Sequence, residues 1–389
     1  MRPERRKAVL FLAGDLSGDA HSARLAAAFG ARNPACTIHA LGGKRLGAAA
    51  QKHGGTWIGD TTNCSAIGLH SVIPIYFWAR WLSFKMRQFV RRTHIDAAVL
   101  CDWGGFTCRQ LRFFEKAGVP LLYYFPPGSW RQKGKLRFTY ATRVRRIATP
   151  FKWSADHLRA AGASVEWVGH PIIERDPDAP DRDALRAEFG VRPGESLIAL
   201  LPGSRVPEVR VIGPSLAGAA EILRSERAVR FVVPVPGPLA AEAAKVFGAG
   251  FQLVSGRASD VLRACDAAVV KTGSATLEAA AAGAPQVAVY DLGRIGRLEW
   301  LVLWSWKEIP FIAMPNIILQ RRLVTELLGP ECRPQKIAAQ LRMLLDDPTT
   351  RERIDSGYAE IRTHLGGGLP EPATLRTARM LEELLDETP

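Results

Sequence analysis

The 389-residue chain has no apolar run as long as the roughly eighteen residues a membrane-spanning helix needs. The two nearest stretches, around 72–84 and 298–314, are interrupted by Arg80 and by Glu299, Lys307 and Glu308, so a membrane crossing is not expected. Cysteine is sparse. Cys36, Cys64, Cys101, Cys108, Cys265 and Cys332 form no CxxC pair and no metal-ligand spacing, which argues against a zinc site and fits reduced thiols in a cytosolic protein. There is no Lys/Arg-rich tail, no nucleic-acid-binding motif, no repeat of fixed period and no low-complexity segment. The opening MRPERRKAVLFLAGD places basic residues before an apolar run, but that run is short and lacks a small-residue cleavage pattern. It reads as a first strand.

What is present is a composition with 47% hydrophobic and 23% charged residues, that of a globular protein, carrying a net charge of +14. So large an excess implies an anionic partner: nucleic acid, an acidic membrane surface or a phosphorylated substrate. Because the basic residues are interspersed with apolar ones, the membrane is favoured over nucleic acid.

Residues 266–290, DAAVVKTGSATLEAAAAGAPQVAVY, read as strand, tight loop, short helix, glycine stop and second strand. Gly273, without a Cβ, lets the backbone between Thr272 and Ser274 approach a ligand, and the helix behind it begins with free N–H groups suited to a phosphate. Glu278, one turn in, is placed to accept hydrogen bonds from ribose hydroxyls; an ordinary crossover with a solvated Glu is the alternative. A second loop of this kind follows the apolar run 196–201. There Pro202-Gly203-Ser204-Arg205 offers a backbone turn and a guanidinium fork for phosphate oxygens, with Glu208 three residues further on. Two such loops at the carboxyl ends of strands in one α/β half are what a nucleotide diphosphate requires.

Strands are predicted at 8–13, 37–41, 97–101, 119–125, 146–149 and 165–168, alternating with helices, which specifies a parallel sheet wrapped by helices. Ala13-Gly14-Asp15-Leu16-Ser17-Gly18-Asp19 is another glycine loop, after the first strand. The Pro- and charge-rich 169–195 segment marks a boundary. Alternation restarts at 196 and ends near 290, with helices expected from about 316 onward. The fold class that follows is α/β, with two Rossmann-like parallel-sheet domains, 1–172 and 173–369, facing a cleft that holds the ligand. The C-terminal helix 370–389 is expected to pack back on the first domain.

Residues 74–92, PIYFWARWLSFKMRQFVRR, put Trp78, Trp81, Leu82, Met86 and Phe89 on one helical stripe. Arg80, Arg87 and Arg91 lie opposite, with Lys85 and Arg92 near the apolar edge. This is the pattern of a helix in an anionic interface, Trp78, Arg80, Trp81, Lys85 and Phe89 being its candidate contacts. An amphipathic helix packed on its own sheet is the alternative. Trp300, Trp304, Trp306 and Phe311 form a second aromatic segment, readable as core or as the lining of an acyl-chain pocket.

These loops, in this order, resemble the lipid-A-disaccharide synthase family of inverting GT-B glycosyltransferases. The resemblance runs from about residue 9 to 362 and rests on AGDLSGD (13–19), IGL (67–69), the YF-P run and WRQK (124–133), VGHP (168–171), LPGSR (201–205), TGSATLE (272–278), MPN (314–316) and ELLGPECRPQKIAAQL (326–341). It implies transfer of 2,3-diacylglucosamine from its UDP donor to 2,3-diacylglucosamine 1-phosphate at the cytoplasmic face of the inner membrane. No metal or other cofactor is implied, and a homodimer is left open. Carried over by position, Ser204 and Arg205 would meet the diphosphate or uridine, Thr272, Gly273 and Ser274 would cradle phosphate, and Glu278 would hold ribose. Asn316 and Glu326 would complete the nucleotide pocket. Asp15, Ser17, Gly18 and Asp19 would face the cleft from the other domain. His170 would sit at the hinge, as a ligand or as a structural imidazole.

The acceptor half departs from the pattern. The family loop, roughly D-A-P-D-F-N, is here Asp102-Trp103-Gly104-Gly105-Phe106-Thr107, so Gly105 stands where a candidate base would be. Asp15 stands where Glu is usual, and Asp291 replaces a basic residue. An inverting transfer needs a base within hydrogen-bond reach of the attacking hydroxyl, which leaves Asp102 first, then Asp15 or Asp19. A UDP-sugar enzyme with another acceptor or epimerase activity, and a non-catalytic paralogue that binds nucleotide or lipid, are the alternatives.

Overall fold

The computed structural model describes residues 6–62, 72–132, 140–174, 179–293 and 310–387. The chain divides into two compact units, Met1–Glu174 with His364–Pro389, and Arg175–Thr363.

The first unit is built on seven strands: β1 (Ala8–Ala13), β2 (Thr37–Leu41), β3 (Trp57–Gly59), β4 (Ala97–Cys101), β5 (Leu121–Tyr124), β6 (Arg146–Thr149) and β7 (Val165–Trp167). All pair in parallel, in the order β3-β2-β1-β4-β5-β6-β7. Helices α1 (Leu16–Arg32), α2 (Lys44–Lys52), α3 (Val72–Arg92), α4 (Gly104–Lys116) and α5 (Lys152–Ala160) alternate with them. Every residue of β1 is buried, as a central parallel strand covered on both faces requires. Val9, Phe11 and Ala13 face a core shared with α1 and the C-terminal helix Ala373–Asp386, while Leu10 and Leu12 face one shared with α3 and α4. Glu174 anchors that last helix by accepting from the Thr374 N–H at 2.9 Å and hydroxyl at 2.7 Å.

The second unit repeats the plan with β8 (Ser196–Leu201), β9 (Val229–Val235), β10 (Gln252–Ser255), β11 (Ala267–Lys271), β12 (Gln286–Tyr290) and β13 (Thr325–Leu328), ordered β10-β9-β8-β11-β12-β13 and again parallel. Its helices include α6 (Arg182–Glu188), α7 (Val206–Arg224), α8 (Ala240–Phe247), α9 (Ala258–Ala264) and α10 (Ser274–Ala282). In each sheet the strand order reverses beside the first strand, between β1 and β4 and between β8 and β11. Loops leaving the carboxyl ends of those strands part there and leave a crevice, the usual ligand position of doubly wound sheets.

Two strands escaped the sequence reading. β3 is only three residues long and ends in glycine. β13 carries the Thr-Glu-Leu-Leu run in the region where helices were expected, because it has high helix propensity; pairing with β12 overrides that preference.

Candidate active site

At the switch point of the first unit, Asp15 caps α1, its Oδ1 accepting from the Gly18 N–H at 2.6 Å. Gly18 suits this cap because a Cβ there would lie 3.0 Å from the same oxygen. Ser17 lies half-buried in the first turn. On the other side of the switch point β4 runs into two consecutive non-glycine residues in the left-handed region, Asp102 (φ 48°) and Trp103 (φ 49°). Each costs about 1–3 kcal/mol and persists only where the surroundings enforce it. Here they do. The Asp102 N–H donates to the Phe125 carbonyl at 3.1 Å, and its own carbonyl accepts from the Tyr123 hydroxyl at 3.1 Å. The Thr107 hydroxyl lies 2.5 Å from that of Tyr123. Trp103 stacks on Phe106 with centroids 4.0 Å apart, and covers Gly14 so closely that a Cβ there would sit 2.0 Å from the indole.

The kink sets Asp102 within the field of Asp15. Solvent reaches Asp102, yet dense protein around it strips enough hydration to push its carboxyl up to about 6, with the Asp15 charge adding and the Trp103 N–H opposing. A carboxylate so placed is poised to accept a proton near neutral pH.

Asp19 and His170 take structural places instead. Asp19 is 3% exposed, and its two oxygens accept from the N–H groups of Arg45 (3.2 Å) and Leu46 (3.1 Å), closing the start of α2. Burial raises its carboxyl against those bonds. His170 is buried among Phe125, Phe151 and His21, and its Nδ1 accepts from the Ile172 N–H at 3.1 Å. Burial, then His21 and Arg24, hold its pKa well below the usual histidine range, so it is a neutral structural imidazole.

At the switch point of the second unit, Gly203 (φ 125°) turns the chain after β8, and Arg205 opens α7. Glu208 reaches back from the first turn of α7. Its Oε2 accepts from the Ser204 N–H at 2.8 Å, and its Oε1 lies 3.6 Å from Arg205 Nη1. A Cβ at position 203 would fall 2.3 Å from the Glu208 carboxylate, so glycine is required by space as well as by φ. After β11, Thr272 is buried and prolongs the sheet, its N–H donating to the Val289 carbonyl at 2.9 Å. Gly273 (φ 139°) then caps α10, which opens at Ser274, and a Cβ there would meet nothing within 4 Å. Among the described residues the space over this helix start is open, which an approaching anion needs. Glu278 is half-buried one turn further along.

Asn316 and Glu326 serve this site from behind. Asn316 is fully buried; its Oδ1 accepts from the N–H groups of Leu323 (2.7 Å) and Val324 (2.9 Å), and its Nδ2 donates to the Val324 carbonyl and to Glu326 Oε1, both at 2.9 Å. Glu326 Oε1 also accepts from Ile312 N–H at 3.1 Å and Ala313 N–H at 2.8 Å. The next amide, Met314 N–H, donates to the Thr276 hydroxyl of α10 at 3.0 Å. The two side chains expected at the nucleotide pocket also form a clip that pins residues 312–314 to α10.

The sequence profile of the lipid-A-disaccharide synthetase family matches residues 9–365. The chain belongs to this family. It is therefore a glycosyltransferase of lipid A biosynthesis. Among its relatives, the lipid-A-disaccharide synthase of Myxococcus xanthus is 34% identical over 383 residues, 97% of each chain. Among solved structures, the glycosyltransferase of kitacinnamycin aligns with a TM-score of 0.66 at 15% identity, over 98% of this chain and 100% of that one. The UDP-GlcNAc 2-epimerase of Neisseria meningitidis, solved with UDP-GlcNAc, aligns with a TM-score of 0.60 at 11% identity, over 98% and 100%. Both share the GT-B fold.

In this family member α3 presents two apolar faces. Leu82, Met86 and Val90 are buried against the first sheet, and Trp78 and Phe89, expected as membrane contacts, are packed beside them. Trp81 (52% exposed) instead joins Phe77 (66%), Phe84 (63%) and Tyr76 on an open stripe. Lys85 Nζ lies 4.4 Å from the Trp81 ring centroid, and the Arg80 guanidinium 5.8 Å from that of Tyr76. Arg87 points inward and donates to Gln110 Oε1 at 3.0 Å. No helix among the described residues is long and apolar enough to cross a membrane. The IGL segment, Lys133 and Trp300, Trp304 and Trp306 lie outside the described residues.

Proposed function

We propose that the chain transfers 2,3-diacylglucosamine from its UDP donor to the hydroxyl of 2,3-diacylglucosamine 1-phosphate, releasing UDP with inversion and without a metal. The observation that carries this reading is the pair of glycine turns flanking the β8/β11 switch point, in a chain of this family. The donor diphosphate is assigned to the open start of α10 at Gly273 and Ser274 and to Arg205 and Ser204, with Glu278 toward the ribose. The acceptor hydroxyl gives its proton to Asp102, whose raised pKa suits that task. Its oxygen forms the new bond at the anomeric carbon as the bond to UDP breaks, and the leaving electron pair settles on the diphosphate. Fixed amide dipoles and a guanidinium then meet charge that grows during the reaction, the arrangement that lowers such barriers most.

Lipid substrates and the net charge of +14 support a second element of the proposal: the Phe77–Trp81–Phe84 stripe, with Arg80 and Lys85, rests on an anionic membrane surface.

Incubation with both diacylated substrates tests the reaction. UDP release that depends on acceptor, together with a disaccharide product, is expected. Release with another acceptor only, or interconversion of a UDP-sugar without release, would assign a different reaction. Binding of UDP-diacylglucosamine with no turnover of any kind would show a binding protein.

A further inference from the structure

The last residue of β11 is a lysine on an otherwise apolar strand. Lys271 Nζ lies 2.8 Å from Glu208 Oε1, and the two side chains are 19% and 6% exposed. Among the described residues that oxygen has no well-aligned hydrogen bond, so the contact is one of charge with charge. Arg205 Nη1 lies 3.6 Å from the same oxygen. One nearly buried carboxylate therefore gathers two cations, Arg205 from the loop after β8 and Lys271 from the end of β11, and the trio keeps one net positive charge. Lys271 is also fixed sideways, since β11 pairs it with Val289 and its Nζ lies 5.6 Å from the Tyr290 ring centroid. Thr272 and Gly273, which follow it directly, lead to the open start of α10.

Two cations on one carboxylate also occur away from the switch point, at Asp266 with Arg182 and Arg186. What sets this trio apart is that both of its cations stand at the carboxyl ends of the two central strands, beside the start of α10, where a ligand with more than one negative charge would meet them. We infer that Lys271 is a binding residue for the diphosphate of the donor, held in place by Glu208 and acting with Arg205. Glu208 is the positioning residue of this trio: it keeps the ammonium and guanidinium extended toward the loops while no anion is bound. This inference rests on the donor site proposed above, and adds to it a cation from β11. The class of ligand it selects is a nucleoside diphosphate over a monophosphate or a bare nucleoside.

Calorimetric titration of the full chain with UDP and with uridine tests it, comparing wild type with Lys271→Met and Lys271→Arg. UDP affinity is expected to fall about tenfold to a hundredfold in K271M, as for loss of a charge-assisted hydrogen bond, and to recover largely in K271R. Uridine affinity is expected to change little in either. A purely structural lysine would lower the thermal transition of K271M and leave the preference for UDP over uridine intact; that result overturns the inference. Should K271M fail to fold, reductive methylation of the wild type, read by peptide mass spectrometry, serves in its place. Protection of Lys271 by UDP but not by uridine supports the inference, and equal labelling with both overturns it. A wild-type chain that binds no UDP overturns the donor-site reading itself; binding by wild type with no change in K271M overturns the role of Lys271 alone.

Discussion

At the scale of single residues, Asp102 shows how backbone strain and electrostatics cooperate. A left-handed Asp-Trp pair is unfavourable alone, and it survives because Tyr123, Phe125 and Gly14 fix it from three sides. Dense protein around a carboxyl that solvent still reaches raises it to about 6, with the nearby Asp15 charge adding. Only the ionised form accepts a proton, so kcat/KM is expected to rise along an acid limb centred near pH 6 and to level off above it. Asp15→Asn keeps an oxygen for the Gly18 cap but removes the negative neighbour, so the limb should move to lower pH. A limb that stays in place in this variant would exclude the proposed coupling. Asp102→Asn should lower kcat on the order of a hundredfold to ten-thousandfold, the usual contribution of a general base. Full activity in that variant would assign the proton to another group. The same raised pKa has the opposite sign for stability. The ionised form is disfavoured in the folded chain, so this group's contribution declines as pH climbs from the ordinary carboxyl range through about 6.

At the scale of elements, the Asn316–Glu326 clip and the two-faced α3 each turn a short motif into a surface. Asn316→Ala would leave the buried N–H groups of Leu323 and Val324 without an acceptor, at about 1–3 kcal/mol each. Urea unfolding is expected to show a loss of about 3 kcal/mol, and an unchanged midpoint would show that the amide is dispensable. For α3, replacing Phe77, Trp81 and Phe84 together by serine removes side chains that the first unit does not bury. Sedimentation with vesicles containing phosphatidylglycerol should then drop sharply while the thermal transition stays where it was. Retained binding would assign the membrane contact elsewhere. The sequence made α3 legible as an amphipathic helix, but two apolar stripes one residue apart cannot be told from one broad stripe without knowing which side meets the sheet. Trp78 and Phe89 therefore read as membrane contacts in the sequence, and Phe77 and Phe84 do not.

At the scale of the whole molecule, two parallel sheets were legible because their central strands are short apolar runs closed by glycine or a polar turn, whereas the strand order was not. The second-unit loops were legible for the same reason, since glycine at positive φ before a helix leaves a mark in sequence. Partners across space left none. Nothing in the order of residues says that Glu326 faces the 312–314 loop, that Asp19 closes α2, or that Lys271 meets Glu208 from a neighbouring strand. The family resemblance assigns Asn316 and Glu326 to the nucleotide pocket and Asp19 to the cleft; the backbone amides that all three hold leave no mark in a motif. The proposed reaction stands or falls with a donor diphosphate over Gly273 and Ser274 beside Arg205. A crystal structure of the chain grown with UDP measures this most directly. Diphosphate oxygens within hydrogen-bond distance of the Ser274 amide and the Arg205 guanidinium are the predicted result; UDP bound elsewhere, or an empty β8/β11 crevice at saturating UDP, would contradict it.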